Sequence, residues 1–116
     1  MIGALVGHLI GDFVFQNDWM AREKKRSTEV CFTHALIWTI CVVACAGWGE
    51  HHAAIAILLI THFIQDRWLL VQRWMKFYGQ FQQDSETMRI IGPLIIDQVW
   101  HIVTIYAIDR WICSRI

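Results

Sequence analysis

An all-α fold, drawn as a four-helix up-down transmembrane bundle with a His/Asp cluster in its core, is what this sequence predicts. Three observations predict it. The chain of 116 residues is 56% hydrophobic and 17% charged, against roughly 25% charged in ordinary soluble domains. Its apolar residues fall into four long runs between polar connections, and residues 30–49 carry no charged side chain. Inside three of these runs sits a His/Asp pair at i, i+4 spacing, which puts both side chains on one helix face. The pairs are His8 with Asp12, His62 with Asp66 and, in reversed order, Asp97 with His101.

One domain fits this length, and so short a chain cannot easily hide that much apolar surface from water. A very apolar soluble bundle or an obligate oligomer is the competing reading. The mean hydropathy of +0.39 is modest, because the connections and the His/Asp pairs lower it. A net charge of zero gives no electrostatic case for nucleic acid. The expected partner is the lipid bilayer, and homo-oligomerisation stays open. Cys31, Cys41, Cys45 and Cys113 form no Cys-x-x-Cys motif, and three of them share one apolar run, so free thiols are expected rather than a disulfide framework.

The first helix is expected at about 1–16. No basic region precedes its apolar stretch, so it reads as part of the mature protein and not as a signal peptide. Gly3, Gly7 and Gly11 form a small-xxx-small ridge for close helix packing. His8, Asp12 and Gln16 lie on the adjoining stripe, which turns this helix toward the interior. Asn17, Asp18 and Trp19 end it, and a basic loop follows through Arg22, Lys24, Lys25 and Arg26.

The second helix, about 29–48, is the best single membrane span, since roughly 20 residues cross a bilayer. Ser27 or Thr28 caps it. His34 is its only strongly polar side chain, on a stripe with Cys31, Trp38, Cys41 and Cys45. Glu50, His51 and His52 belong to an exposed turn. The third helix, about 53–77, holds His62 and Asp66, then becomes amphipathic and runs along the membrane surface. Arg67, next to Asp66, suits either an anion or lipid headgroups. A polar loop follows from Gly79 to Arg89. The fourth helix, about 90–112, has Pro93 in its first turn, where Pro is tolerated.

Short connections imply antiparallel neighbours. The first and third connections are basic, so the positive-inside rule puts them in the cytoplasm, with both termini outside. Arg110 and Arg115 weigh mildly against this. Helices one and three then run inward and read His before Asp. Helix four runs outward and reads Asp before His. The two reversals cancel. All three Asp fall in one cytoplasmic layer, and the three His lie about 6 Å deeper, one helical turn away. His34 falls at the depth of the His layer.

An ionised group in a bilayer costs several kcal/mol unless paired or solvated. A divalent cation offsets that cost. The ligand set expected is His8, Asp12, His34, His62, Asp66, Asp97 and His101, enough for one or two ions. Its mixed nitrogen and oxygen donors suit Zn first and Mn, Fe or Ni next, and argue against copper(I). Interhelical His–Asp hydrogen bonds without metal are the plain alternative for any single pair. Gln16, Gln65 and Gln98 abut the pairs and are expected to pack. The Trp residues read as interface anchors.

His8-Leu9-Ile10-Gly11-Asp12-Phe13-Val14-Phe15-Gln16, then Asp18-Trp19-Met20-Ala21 and Lys24, resembles the opening signature of a small bacterial and phage membrane-protein family, domain of unknown function 3307. His62-Phe63-Ile64-Gln65-Asp66-Arg67, Asp97-Gln98-Val99-Trp100-His101 and the lone His34 are similar to its later motifs. The resemblance covers nearly the whole chain. It implies a polytopic membrane protein and brings no activity with it. A looser likeness of style is to small membrane metal-dependent hydrolases.

The function expected from the residues is metal-dependent hydrolysis of an amphiphilic or lipid-linked substrate near the cytoplasmic leaflet, in a multi-pass protein of the bacterial inner membrane. Asp66 or Asp97 would be the base. One alternative is a cation or proton transporter using the same cluster. Another is a metal-stapled module that binds a partner through residues 68–77. No G-x-S-x-G element, P-loop or Cys-x-x-Cys pair supports serine, nucleotide or redox chemistry.

Overall fold

The apolar runs do become helices, but the chain breaks more often than they suggest. The computed structural model describes residues 1–68, 70–80 and 85–114. Asp84 of the third connection, Leu69 and Arg115 lie outside the described residues. Among those described there are six α-helices, one π-helical turn and no strand. Helix α1 (Ile2–Leu9) runs directly into the π turn Ile10–Val14. Then come α2 (Asp18–Glu23), α3 (Thr28–Ala46), α4 (His52–Arg67), α5 (Leu70–Tyr78) and α6 (Glu86–Cys113).

Three boundaries differ from the expectation, each for a local reason. Asn17 does not merely end the first helix. Its side chain accepts a hydrogen bond from the Met20 N–H at 2.9 Å and starts α2 inside the expected basic loop. Ser85 caps α6 in the same way, through the Met88 N–H. This helix therefore begins at Glu86, and Pro93 lies within it rather than in its first turn. Pro93 brings no N–H to the Arg89 carbonyl. The third expected helix is two, because α4 and α5 are bent by 62°. Ser27 is the cap of α3, and Gly47, at φ 73°, closes its other end in the left-handed conformation.

Helices α3 and α6 are long and apolar enough to cross a membrane, and α4 with α5 adds a third if the bent pair is one span. The 19 residues of α3 rise about 28 Å, close to a hydrocarbon thickness of about 30 Å. The outward faces stay apolar: Ile40, Ile60, Val103 and Tyr106 are each more than half exposed. Helix α1 with its π turn is shorter than a span.

The glycine ridge explains how α1 is held. A Cβ on Gly3 would strike the Cys45 carbonyl oxygen, and one on Gly7 that of Cys41. On Gly11 it would lie 2.9 Å from Trp38 Cα. The backbones of α1 and its π turn thus touch that of α3 along three turns, as small residues allow. Residue numbers run oppositely along that contact, so the two helices are antiparallel. Helix α4 is antiparallel to α3, with Cys31 Sγ 3.6 Å from the Phe63 carbonyl oxygen and His34 beside His62. Helix α6 is antiparallel to α1, since the Met1 amino group lies 3.3 Å from Asp109 Oδ1 while His8 meets Gln98. Helices α1 and α4 therefore run one way, and α3 and α6 the other. An apolar cluster of Ala4, Val42, Ala54, Leu58, Ile105 and Ile108 fills one end of this ring. The polar residues gather at the other end.

Candidate metal centre

Each helix of the ring brings its polar residues to one point. The π turn carries Asp12 inward, and such turns recur at functional sites. Helix α3 contributes His34, α4 contributes His62 and Asp66, and α6 contributes Asp97 and His101. All three pairs and His34 do meet. His34, His62, Asp66, Asp12 and His101 are buried, and Asp97 alone keeps a partly open side chain, 23% exposed.

The donor atoms crowd together. His34 Nε2 and His62 Nε2 are 3.1 Å apart. Asp66 Oδ2 lies 3.2 Å from the first and 3.1 Å from the second. The three form a nearly equilateral triangle. Donors on a tetrahedral ion with bonds of 2.0–2.1 Å are separated by about 3.3 Å, so the triangle has the edge length of a ligand set. Asp12 Oδ1 lies 3.2 Å from His34 Nε2 and 3.6 Å from His62 Nε2. Two more groupings have donor atoms mutually within 4.8 Å, one of Asp12, His62 and His101 and one of Asp66, Asp97 and His101. In the last, His101 Nε2 stands 3.3 Å from Asp97 Oδ2 and 3.6 Å from Asp66 Oδ1.

These contacts do not satisfy their atoms. Asp12 Oδ1 and both nitrogens of His101 are buried without a hydrogen-bond partner, as are Nδ1 of His34 and of His62. Buried polar groups left unpaired cost about 1–3 kcal/mol each, and a cluster of them asks for a further bound group. The donor chemistry, the spacing and the orphaned Asp12 Oδ1 and His101 Nε2 fit a divalent cation.

His8 differs from the other six. Its Nδ1 accepts from Trp38 Nε1 at 2.9 Å, and its Nε2 donates to Gln98 Oε1 at 2.7 Å. Both ring nitrogens are thereby occupied and the tautomer is set. No donor grouping among the described residues includes it. Asp12 Oδ2 lies 3.6 Å from its Nδ1, so His8 stands behind Asp12. Gln98, expected only to pack, thus fixes a histidine. Gln65 donates to Thr104 Oγ1 at 3.3 Å.

Two residues of the centre were read otherwise from the sequence. Trp38, one of the aromatic residues read as interface anchors, stacks on His62 with ring centroids 4.0 Å apart and planes 14° from parallel. Lys24, placed in a basic loop, reaches back from the C-cap of α2. Its Nζ donates to Gln16 Oε1 at 2.9 Å and to Asp66 Oδ2 at 3.2 Å. Burial pushes the Lys24 ammonium toward a lower pKa, but the charges of Asp66, Asp12 and Asp97 outweigh it and hold the pKa above the ordinary lysine value. Lys24 is therefore charged at neutral pH. The signal available for it was its position three residues after Ala21 in the opening motif, not its surroundings.

Arg67 takes a structural place. It donates to the Lys25 carbonyl at 2.9 Å and to Thr28 Oγ1 at 3.3 Å, tying the end of α4 to the α2–α3 turn. His52 is exposed at the start of α4, away from the centre. All four cysteines are free thiols.

A cleft of about 260 Å³ opens onto the centre. Its floor is Asp66 and Asp97, and Lys24, Lys25, Gln16 and Gln72 stand around it. Ile90 and Leu94, both at least half exposed, form its apolar lip on α6. Asp66 and Asp97 therefore lie toward the mouth, whereas Asp12 is not among the lining residues and none of the four His is. No curated protein and no solved structure matches the chain. The family model described as protein of unknown function (DUF3307) matches residues 1–115, and the chain belongs to that family.

Proposed function

We propose that this protein is a four-helix-ring membrane hydrolase that uses a divalent cation, Zn first and Mn, Fe or Ni next, on an amphiphilic or lipid-linked substrate. The observation that carries the reading is the triangle of His34 Nε2, His62 Nε2 and Asp66 Oδ2 with edges of 3.1–3.2 Å. The three carboxylates of Asp12, Asp66 and Asp97 supply oxygen donors and the negative charge that a divalent cation takes. A bound cation supplies Lewis acidity and lowers the pKa of water. Asp97, facing the cleft, is placed either to take a proton or to hold a second ion. Asp12 stands beside the ligand set, and His8, fixed by Trp38 and Gln98, packs behind it. The apolar lip at Ile90 and Leu94 holds the substrate's hydrocarbon part, while the cleft takes its polar part.

By the positive-inside rule the basic residues around the cleft favour a mouth at the cytoplasmic leaflet of a bacterial inner membrane, which supports this reading. A transporter would need a polar route through the opposite end of the ring. That end is packed with Ala4, Val42, Leu58, Ile105 and Ile108, which favours an enzyme.

The test is metal content of the chain purified in mild detergent without chelator, beside the double variant His62→Ala, Asp66→Ala. Near-stoichiometric metal in the wild type and none in the variant is expected. A metal-free wild type whose stability is indifferent to added Zn or Mn would overturn the reading.

A further inference from the structure

The proposed cation at the His34–His62–Asp66 triangle uses only one oxygen of Asp66. Its Oδ2 belongs to the triangle, while Oδ1 points the other way, 3.6 Å from His101 Nε2. On that side Asp97 Oδ2 lies 3.3 Å from the same imidazole nitrogen. His101 Nε2 is buried and has no hydrogen-bond partner. Asp66, Asp97 and His101 thus make a second donor grouping, with Asp66 shared between the two. The two groupings differ in access. His34 and His62 are buried and do not line the cleft, whereas Asp97 lines it with a side chain 23% exposed, and Asp66 stands between the two at the cleft floor.

We propose that Asp66 bridges two divalent-cation positions, an enclosed one at His34 and His62 and an open one at Asp97 and His101, and that the open position carries an anionic, phosphate-bearing substrate group. This rests on the metal reading above and deepens it. Enclosed sites with full protein ligation hold structural ions, and sites short of protein ligands leave positions for substrate. Charge asks for an anion beside the second ion. With both positions filled, two divalent cations and Lys24 exceed the charge of Asp12, Asp66 and Asp97 by two. A dianionic phosphate cancels that excess, and Lys25 at the rim adds to the attraction. A pair of cations clamping one oxyanion group is an established way to stabilise phosphoryl chemistry. The second ion and the anion therefore bind together.

The experiment is a Mn(II) titration of the full chain in detergent, with free Mn(II) read by electron paramagnetic resonance. It is run with and without inorganic phosphate, on the wild type, Asp97→Asn and Asp97→Glu. The expected result is one ion per wild-type chain without phosphate and two with it, the second tightened at least about tenfold, in keeping with linked binding. Asp97→Asn keeps the first ion and loses both the second and the phosphate effect. Asp97→Glu, which retains the charge, keeps both. A wild type that stays at one ion with phosphate, or an Asp97→Asn chain that behaves like the wild type, overturns the proposal. No ion under any condition overturns the metal reading beneath it, a distinct result. Replacing phosphate by phosphatidic acid in mixed micelles or by soluble glycerol phosphate separates the sources. A stronger response to the lipid assigns a headgroup, and an equal response assigns a free phosphate ester.

Discussion

On the α3 side of the cluster, His34, His62 and Trp38 are at most 1% exposed and meet ring against ring. Behind them α1 lies on α3 with no side chain between the backbones at Gly3 and Gly7. On the cleft side the same cluster is faced by Lys24, Gln16, Gln65 and Asp97, polar side chains held in place by hydrogen bonds and ion pairs. One half is held by shape and the other by charge. A cofactor site needs both. Rigid donors keep ligand distances within a fraction of an ångström, and a polar wall at the cleft lets a second component enter.

The shape-held half should break most completely. Gly7→Ala adds one methyl group against the Cys41 backbone carbonyl, which cannot rotate away. The expected loss is about 3 kcal/mol, the upper end of overpacking costs, with a fall in thermal midpoint in detergent and loss of bound metal. Gly49→Ala is the matched control. Nothing lies within 4 Å of its Cβ and its φ is ordinary, so stability should stay within about 0.5 kcal/mol. Equal effects from the two substitutions would mean that α1 is not docked through its glycines.

A smaller effect is expected from Trp38→Phe. It keeps an aromatic face against His62 but removes the indole N–H that donates to His8 Nδ1. His8 is then free to change tautomer, and Asp12 loses its fixed neighbour. Metal affinity should fall about tenfold, as when outer partners of metal ligands are removed, with less change in the melting temperature than Gly7→Ala causes. An unchanged affinity would make Trp38 a packing residue only.

The His/Asp ligands were legible on both sides of the cluster, whereas Trp38 and Lys24, one on each side, were not. A His and an Asp inside an apolar run are costly, so their presence and spacing carry information, and the reversed order of Asp97 and His101 matches the opposite run of α6. Gly3, Gly7 and Gly11 were readable for a similar reason, since three turns of spacing in an apolar helix have a packing use. The buried cation on the cleft side was hidden. Lys24 sits among Arg22, Lys25 and Arg26, where another cation looks like surface. Only the short helix α2, started by Asn17, aims it inward, and a six-residue helix leaves little periodicity to see. The π turn at Asp12 has no sequence mark beyond Gly11. The break between α4 and α5 falls within apolar sequence and carries neither Gly nor Pro.

Lys24→Met gives the last contrast, because it should strengthen a property and not weaken it. Lys24 Nζ lies 3.2 Å from Asp66 Oδ2, the oxygen that also forms the triangle with His34 and His62. An ammonium and a divalent cation compete for that oxygen and repel each other across a partly screened gap. Removing the ammonium leaves Asp66 wholly to the ion. Metal affinity should rise about tenfold, equivalent to about 1.4 kcal/mol, while the metal-free protein loses stability because a buried carboxylate has lost its nearest cation. Opposite signs in the two states are the signature of competition. If Lys24 served only to hold Asp66 in position, the same substitution would weaken metal binding and lower stability together. Isothermal titration with Zn, paired with thermal unfolding of the chelator-treated protein, separates the two. A fall in both would place Lys24 with the rigid half of the site and remove the distinction drawn between its two walls.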